Sequence, residues 1–342
     1  MAMKILSVSI PCYNSASYME TCIKSLLPGG DDIEILIVDD GSTKDNTFEI
    51  AQRYENEYPG IVRAIHQENA GHGGAVNTGI KEATGVFFKN IDSDDWADTE
   101  VLLKIIGILK DLEQKGTKVD LFLANYVFDR EDSDKKTVMR FKGAFPKDRP
   151  FTWDEVGHMG QSQFIMMHTI IYRRDVLIES RTELPKHAYY VDNIYAFQPL
   201  PYTKTIYYLD EALYHYRIGR ADQSVNVQVQ LKNIDQQIMV DKLITDIYVR
   251  RPKDLSVRLE KYLIAFVKLM YCATSAILLV GGTPEHLSKK EELWDYLKNA
   301  DPEAYKKVRR SFIGGWMNLP GALGRKISVL GYKISQKIFA FN

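Results

Sequence analysis

The segment Asp92-Ser93-Asp94-Asp95 places three carboxylates within four residues, directly after the apolar run 85–91. Carboxylates this close repel one another, so a cation is their natural partner. Oxygen ligands suit the hard divalent ions Mg²⁺ and Mn²⁺. Asp94 is the expected direct ligand, and Asp92 either joins it or contacts a metal-bound water. The alternative is structural: the segment is an exposed loop, or a cap for the helix predicted over 96–110.

Two more polar segments each follow a short β-branched run nearer the N-terminus. They are Pro11-Cys12-Tyr13-Asn14 and Asp39-Asp40-Gly41-Ser42. A carboxylate at the end of a strand can accept hydrogen bonds from a nucleobase N–H and from ribose hydroxyls, and either Asp39 or Asp40 is placed for that role. Pro11 and Tyr13 would line the same pocket. The alternatives are local, because Asp-Asp-Gly-Ser is also good turn chemistry and Pro11 with Tyr13 could simply end a strand.

The segment 71–79 is rich in glycine, which lets a backbone lie close to a bound ligand. It is not a phosphate-binding P-loop, because no Gly-Lys-Ser/Thr follows. His72, within this segment, could touch that ligand. Its alternative role is that of an exposed loop histidine.

The elements that must position these residues alternate along the first half of the chain. Strand-like runs cover 5–10, 33–38, 62–66 and 85–91, and helical patterns cover 15–27, 48–58 and 75–83. Such alternation favours an α/β fold with a mostly parallel sheet flanked by helices. Ligands bind such sheets at the carboxyl ends of the strands, where the polar segments fall. Further strand-like runs cover 119–126, 164–172, 206–209 and 213–217, and after about residue 227 the chain turns helical.

Taken in order, these motifs resemble those of the family 2 glycosyltransferases, which have the GT-A fold. The resemblance covers residues 4–225 and includes Asp192 and the segment Tyr214-His215-Tyr216-Arg217. It implies that a sugar is transferred from a nucleotide donor, a UDP-sugar, with inversion at the anomeric carbon. The implied cofactor is Mn²⁺ or Mg²⁺, and the implied acceptor is a lipid-linked or cell-surface glycan.

The resemblance also implies roles for individual residues. Donor contacts fall to Pro11, Tyr13, Asp39, Asp40, Gly73, Asn77, Asp92, Arg217 and Arg220. Asp40 is the expected partner of the nucleobase. Asp92 and Asp94 match the D-x-D motif of the family, with Asp92 on the ribose or a metal-bound water. The cation held there would neutralise charge on the leaving diphosphate.

Asp192, in Tyr190-Val191-Asp192-Asn193, matches the position of the general base in the family. That base takes the proton of the acceptor hydroxyl as the anomeric carbon is attacked. Two departures accompany the match: Val191 replaces a common Glu, and Val76 replaces a frequent Arg. Arg217 or Arg220 is expected to compensate for the missing Arg. The structural alternative for Asp192 is a cap for the following helix.

Composition limits the other functions that the sequence allows. Lys and Arg number 44 and Asp and Glu 45, and this balance argues against a general nucleic-acid binder. Three scattered cysteines predict reduced thiols in a cytosolic protein. The Val76 and Val191 departures motivate one alternative, a sugar-nucleotide-binding scaffold with a non-catalytic GT-A domain. A nucleotidyltransferase is disfavoured, because a glycine-rich basic loop is missing after the first strand. A homo-oligomer stays open.

The C-terminal segment differs from the rest of the chain. From Tyr305 onward it has eight Lys and Arg residues and no Asp or Glu. On a helix its apolar residues form one stripe: Leu323, Ile327, Leu330, Ile334, Ile338 and Phe341. Lys326, Lys333 and Lys337 lie along one flank. This pattern is typical of a helix that lies on a membrane surface, here predicted at the inner face of the cell membrane. The alternative is a terminal helix docked on the core.

These observations predict three regions in the chain. A GT-A domain covers residues 1–225, a helical extension covers 226–304, and a basic amphipathic tail covers 305–342. The most apolar long stretch, 263–280, is expected to be a buried helix rather than a membrane span, because Lys268, Thr274 and Ser275 interrupt it.

Overall fold

The structure is a computed structural model that describes residues 3–130, 136–160, 163–218 and 227–339. The chain divides into two compact units, Met1–Ile218 and Gly219–Asn342. Within the described residues, all strands belong to the first unit, and the second unit is helical.

A single mixed sheet forms the centre of the N-terminal unit. Its strands are β1 (Leu6–Cys12), β2 (Ile33–Asp39), β3 (Val62–His66), β4 (Phe87–Asn90), β5 (Trp96–Ala97), β6 (Leu121–Arg130), β7 (Thr137–Met139), β8 (Pro150–Thr152), β9 (Ile170–Arg173) and β10 (Thr205–Ile218). The strand order is β3-β2-β1-β4-β9-β6-β10-β5, with β7 beside β6 and β8 beside β10. This α/β architecture is the predicted one.

The two halves of the sheet differ in strand direction. Strands β3, β2, β1 and β4 pair in parallel, as predicted. Strand β9 runs antiparallel to both β4 and β6, so it reverses the direction in the middle of the sheet. Strands β6 and β10 are again parallel to each other. The sheet is therefore less uniformly parallel than the alternating pattern of the first half predicted.

Six helices of the described part accompany this sheet. They are α1 (Met19–Leu26), α2 (Thr47–Glu57), α3 (Gly71–Glu82), α4 (Thr99–Gln114), α5 (Arg174–Glu179) and α6 (Asp192–Phe197). Every residue of β1 and β2 is buried. The apolar faces of α1, α2 and α4 pack with these strands into the main core. A strand that is covered on both faces favours apolar and β-branched residues, and both strands are rich in them, which explains why the sequence located these strands well. The buried exceptions Ser7 and Glu34 pair with each other.

Helix α3 lies very close to β1, and this closeness depends on glycine. A Cβ atom placed on Gly79 would come within 2.0 Å of Ser9 Oγ. The glycine-rich segment therefore belongs to the helix itself, which begins at Gly71 rather than at Ala75 as predicted. As a result, the residues at the start of α3 are carried by a rigid element next to the carboxyl ends of the strands.

The helical unit comprises seven described helices. They are α7 (Val227–Lys232), α8 (Ile234–Arg250), α9 (Val257–Gly281), α10 (Pro284–Ala300), α11 (Pro302–Arg310), α12 (Phe312–Trp316) and α13 (Gly321–Phe339). Helix α9 is long and apolar enough to cross a membrane, but 67% of its most apolar 18-residue stretch is buried inside the structure. Helices α8, α10, α11 and α13 pack around it. This packing agrees with the prediction of a buried helix over 263–280.

All three cysteines are buried and free, as their scattered positions predicted.

Candidate active site

The acidic loop, residues 92–95, follows β4 at the carboxyl edge of the sheet. Its last carboxylate, Asp95, is buried and accepts hydrogen bonds from the Tyr214 hydroxyl and, at 2.8 Å, from the Arg217 backbone N–H. Asp95 therefore anchors the loop to β10. Helix α4 is capped by Asp98, whose side chain accepts from the Val101 N–H. The structure thus assigns the capping role to Asp98 and not to the acidic loop.

Asp92 forms an ion pair with His72 at the start of α3. Its Oδ1 lies 2.9 Å from His72 Nε2 and accepts a second hydrogen bond from the Asn90 amide at 3.2 Å. Burial alone would raise the pKa of Asp92, but the charge of His72 and its hydrogen bond outweigh burial and lower it. Asp92 is therefore held as a carboxylate.

His72 stands among three carboxylates. Burial alone would lower its pKa, but Asp92, followed by Asp192 and Asp94, outweighs burial and raises it. Two acidic residues of one loop and a third from a distant part of the sequence thus act on one imidazole. The glycine-rich segment suggested that His72 contacts a ligand, whereas its pairing with Asp92 depends on tertiary structure that no local motif encodes.

Asp192 begins α6 and is half-buried. The N-cap residue of α6 is Val191, and within the described residues no side-chain hydrogen bond caps this helix. Burial raises the pKa of Asp192, His72 opposes that shift, and Asp92 adds to it. The structure thus brings Asp192 within electrostatic reach of Asp92 although 100 residues separate them.

A strap of chain, residues 184–192, carries Asp192 and is fastened to α3. The Asn77 amide donates to the Leu184 carbonyl at 2.8 Å and accepts from the Leu184 N–H at 2.9 Å. The His187 N–H donates to the Ala70 carbonyl at 2.9 Å. Asn77 therefore uses its side chain to hold the strap, and a donor contact for Asn77 stays a prediction.

Close packing and backbone strain accompany the strap. A Cβ atom on Gly73 would lie 2.3 Å from the Pro185 carbonyl oxygen, so this glycine is required for the contact. Its predicted donor contact is untested. Tyr190, two residues before Asp192, has φ of +65°, which is costly for an aromatic residue. Such strain persists only where the surrounding contacts enforce it, and the contacts of the strap with α3 are of that kind.

The two predicted nucleotide carboxylates are buried at the end of β2. Asp39 Oδ2 lies 2.6 Å from His66 Nδ1, and Asp40 Oδ1 accepts from the Gln67 amide at 2.6 Å and from the Ala70 N–H at 2.8 Å. These contacts show that Asp40 links the end of β2 to the start of α3.

Pro11 and Tyr13 lie at the end of β1. Pro11 is buried within the strand, and Tyr13, just beyond it, is half exposed. An exposed aromatic ring at this edge of the sheet can offer a face to a planar group. Their contacts with a nucleotide remain predictions.

Four hydrogen bonds join the polar segments into a closed ring. The Asn14 N–H donates to Ser42 Oγ at 2.8 Å, Ala70 N–H to Asp40, His72 pairs with Asp92, and Ser93 Oγ lies 2.9 Å from Ser15 Oγ. We call this set the edge ring. Segments that the sequence separates by up to 78 positions are thereby fixed relative to one another.

Arg217 reaches the acidic loop from β10. Its guanidinium lies 5.4 Å from the centre of the Trp96 ring and 5.9 Å from that of Tyr18, within the range of cation–π contacts. The structure therefore places this predicted donor residue beside the acidic loop. Arg220, the other predicted basic residue, lies outside the described residues.

A buried lysine lies below the acidic loop and was missed by the sequence analysis. Lys89, on β4, is fully buried and donates to the carbonyls of His168 at 3.0 Å and Ile170 at 3.2 Å. Burial lowers the pKa of Lys89 to about 7, partly opposed by Asp92. Its only sequence signal was a lysine inside an otherwise apolar strand.

His168 packs among aromatic rings behind the loop. Its ring centre lies 4.7 Å from that of Tyr216 and 4.8 Å from that of Tyr214. Burial lowers the pKa of His168 to about 4, so its imidazole is neutral at pH 7.

The donor atoms of this site suit a hard cation. Asp92 and Asp94 offer carboxylate oxygens, the ligands that Mg²⁺ and Mn²⁺ take. In the described ranges, no group of three or more His, Cys, Asp or Glu side chains is arranged to hold a metal ion. Two carboxylates then leave coordination positions for water or for the oxygens of a ligand, as Mg²⁺ sites usually do.

Comparison with known proteins identifies the family. The family model "Glycosyl transferase family 2" matches residues 7–179, half of the chain. The putative glycosyltransferase EpsH of Bacillus subtilis is 29% identical over 231 residues, covering 62% of this chain and 60% of EpsH. Chondroitin synthase of Escherichia coli is 37% identical over 99 residues, 29% of this chain and 14% of the synthase. The chain spans about 60% of the length of EpsH and of EpsJ, a second B. subtilis relative.

Solved structures share the fold at low sequence identity. Residues 1–349 of Staphylococcus aureus TarS in complex with UDP-GlcNAc superpose with a TM-score of 0.69 at 18% identity, over 98% of this chain and 91% of that one. The mannosyltransferase PcManGT of Pyrobaculum calidifontis, in complex with GDP-Man and Mn²⁺, gives 0.51 at 14% identity, over 97% and 89%. These matches confirm the predicted GT-A fold class. With the family match and the ordered motifs at the sheet edge, they show that the chain belongs to glycosyl transferase family 2.

Proposed function

We propose that the chain is an inverting glycosyltransferase that moves a sugar from a UDP-sugar to a hydroxyl of a lipid-linked or cell-surface glycan. The observation that carries the proposal is the convergence of Asp92, Asp94 and Asp192 around His72. Charged groups from separate segments that meet at one sheet edge are typical of an active site.

Asp192 is the proposed general base. The acceptor oxygen forms a bond to the anomeric carbon while the Asp192 carboxylate takes the hydroxyl proton. The bond from that carbon to the diphosphate oxygen breaks on the opposite face, and the diphosphate leaves with the bonding electrons. Burial raises the pKa of Asp192, which makes its carboxylate a stronger proton acceptor than an exposed one.

The leaving diphosphate needs positive charge near it. Asp92 and Asp94 are the proposed ligands of Mg²⁺ or Mn²⁺, which when bound would neutralise that charge. The chain contributes Arg217, whose guanidinium lies beside the acidic loop. His72, whose pKa is raised, adds a second positive group when protonated. These two cations are the proposed compensation for Val76.

The donor nucleotide is proposed to lie along β1 and β2. Asp39 and Asp40 would accept hydrogen bonds from the base and ribose, since a carboxylate oxygen that has one partner can accept another. Pro11 and Tyr13 would border the base, and Gly73 would border the sugar. UDP complexes of TarS support a uridine donor, while the GDP-Man complex of PcManGT shows that the fold also takes guanosine.

We place the reaction at the inner face of the cell membrane, with the chain as a peripheral protein. The basis is its C-terminal segment, which is basic and amphipathic like a helix that lies on a membrane surface.

The experiment that tests the proposal compares transfer with binding in Asp192→Asn. Release of UDP with acceptor present should fall by about a thousandfold, because the amide cannot accept the proton. UDP affinity, measured by titration calorimetry, should stay within about threefold. The matched control is Asp31→Asn, which changes an exposed aspartate before β2, at the sheet edge opposite Asp39.

Two results would contradict the proposal in different ways. Full transfer by Asp192→Asn would remove Asp192 as the base. UDP-sugar binding by the unaltered chain, without turnover of any donor with any acceptor glycan, would favour the scaffold alternative.

A further inference from the structure

Helix α13 exposes the apolar residues that a terminal helix of a soluble protein would bury. Leu323 is 73% exposed and Leu330 is 59% exposed, and Ile327 and Ile334 between and beyond them are also exposed. The four residues follow one another at steps of four, three and four, so they share one side of the helix. We call them the outer stripe. The side chains of Lys337, Ile338 and Phe341 lie outside the described part of the chain.

The same helix packs on its own unit through small residues. A Cβ atom on Gly331 would lie 2.8 Å from the indole of Trp316, and one on Gly324 would lie 2.8 Å from Leu319. Between them, Ser328 Oγ donates to the Trp316 carbonyl at 2.6 Å. These three residues also recur at steps of four and three. They form an inner face that fits closely against the preceding segment.

The arrangement differs from the usual one. A surface helix normally turns its large apolar side chains to the core and its small or polar ones to water. Helix α13 does pack Val329 and Tyr332 inward, but the outer stripe adds a second apolar side that faces solvent while the helix is already docked. The docking alternative and the surface alternative from the sequence are therefore compatible, because they use different sides of α13.

Charge decides between the partners that could cover the outer stripe. Lys326 and Lys333 are exposed on the described part of α13, and the sequence from Tyr305 onward has eight basic and no acidic residues. A second copy of the chain docked through this face would bring like charges together, which opposes association. An anionic lipid surface is complementary to both the charge and the apolar stripe.

We propose that α13 binds an anionic bilayer through Leu323, Ile327, Leu330 and Ile334 while its inner face stays packed on the helical unit. The membrane-binding surface is then already formed before the protein meets the membrane. Binding does not require α13 to separate from Trp316. This inference deepens the proposed membrane location but requires neither the donor nor the transfer reaction.

The test is flotation of the full chain with vesicles of phosphatidylcholine and phosphatidylglycerol in equal parts, without nucleotide. The unaltered protein should float with these vesicles and at least tenfold less with phosphatidylcholine alone. The double variant Leu323→Asn/Leu330→Asn should lose at least tenfold in vesicle affinity. The matched control is Leu103→Asn/Ile178→Asn, which replaces two exposed apolar residues of the N-terminal unit.

A second variant separates lost binding from lost folding. Lys326→Gln/Lys333→Gln leaves every apolar residue in place and should weaken binding severalfold, with less dependence on salt than the unaltered protein shows. Thermal midpoints of both variants should match that of the unaltered chain, because all four positions are exposed.

Three outcomes would overturn the inference. They are equal flotation of the stripe variant and its control, equal flotation with neutral and anionic vesicles, and absence of flotation with a concentration-dependent dimer that the stripe variant abolishes. The last would identify a second copy as the partner. None of these outcomes bears on UDP release by the soluble protein, so failure here and failure of the proposed reaction are distinguishable.

Discussion

Aspartate side chains stand in opposite surroundings in the two units: charged groups surround those of the acidic loop, whereas Asp241 of the helical unit has uncharged neighbours. Asp92 is paired with His72, on which Asp94 and Asp192 also act, and Asp92 interacts electrostatically with Asp192. Asp241, on α8, is fully buried, and burial raises its pKa to about 7. A shifted pKa therefore marks both places. What distinguishes the loop is that charged groups from several segments meet there, and this is the better sign of a reaction site.

The neighbours of Asp241 are polar but uncharged. Gln237 donates to its Oδ1 at 3.0 Å, and Thr245, which donates to its carbonyl at 2.9 Å, also pairs with the Tyr271 hydroxyl at 2.7 Å. Its Oδ2 has no hydrogen-bond partner within the described part of the structure. A buried acid without a charged partner, with a pKa of about 7, is protonated below neutral pH and is expected to affect stability rather than chemistry.

The largest effect should follow from replacing Asp94 with Ala. If the acidic loop holds the cation, donor turnover should fall by about a thousandfold, and added Mn²⁺ should no longer raise it. The measurement is UDP release across a Mn²⁺ series, with Asp241→Asn as the control. Turnover that still rises with Mn²⁺ in Asp94→Ala would place the cation elsewhere.

Replacing His72 with Gln, also at the acidic-loop site, should lower activity less than the Asp94 variant does. Glutamine can still donate a hydrogen bond to Asp92 but carries no charge, so kcat should fall about tenfold while the fold is kept. Steady-state kinetics with the donor varied would measure it, beside His158→Gln at an exposed position. A kcat equal to that of the control would show that the charge of His72 is not used.

The smallest effect on activity, and the clearest on stability, should come from Asp241→Asn. The folded pKa of about 7 lies above the ordinary value of 3.8. The folded protein therefore keeps a proton that the unfolded chain releases, and stability falls as pH rises from about 4 to about 7. This loss amounts to at most about 4 kcal/mol, from 1.36 kcal/mol per pKa unit.

Calorimetric midpoints at pH 5 and pH 8 test this prediction. The unaltered protein should be less stable at pH 8, and Asp241→Asn should remove most of the difference and keep full transfer activity. The exposed Asp235→Asn serves as control. A loss of transfer comparable with that of Asp94→Ala would erase the distinction between the two carboxylate settings.

The sequence predicted well those parts of the fold whose position depends only on burial, because burial leaves a local apolar pattern. Strands β1 and β2 are buried along their whole length, so they need mostly apolar and β-branched residues. Strand β10 was predicted as two short strands, because Asp210 and Glu211 interrupt its apolar pattern. The structure keeps it continuous by shifting the register there, and Asp210 accepts hydrogen bonds from Asn125 and Lys147. Partners from distant segments cannot be seen in a local pattern.

The same limit applies to the site. The ordered motifs and the family resemblance singled out Asp92, Asp94 and Asp192, and the structure brings these three near His72; their roles stay predictions. The contacts of His72 and Lys89 depend on which elements become neighbours, so no motif encoded them. For α13, the periodicity gave the outer stripe. Gly324, Ser328 and Gly331 recur at helical spacing too, so the sequence also carries a pattern of small residues that predicts the inner face.

The edge ring has a consequence for protein engineering. Because Asn14, Ser42, Asp40, Ala70, His72, Asp92, Ser93 and Ser15 close on themselves, the four segments form one exchangeable part. Grafting a single loop from a relative would leave two of its connections unmatched. Swapping all four together, with the sheet unchanged, would keep every connection of the ring, and this is the unit that we propose to exchange in tests of the proposed donor site.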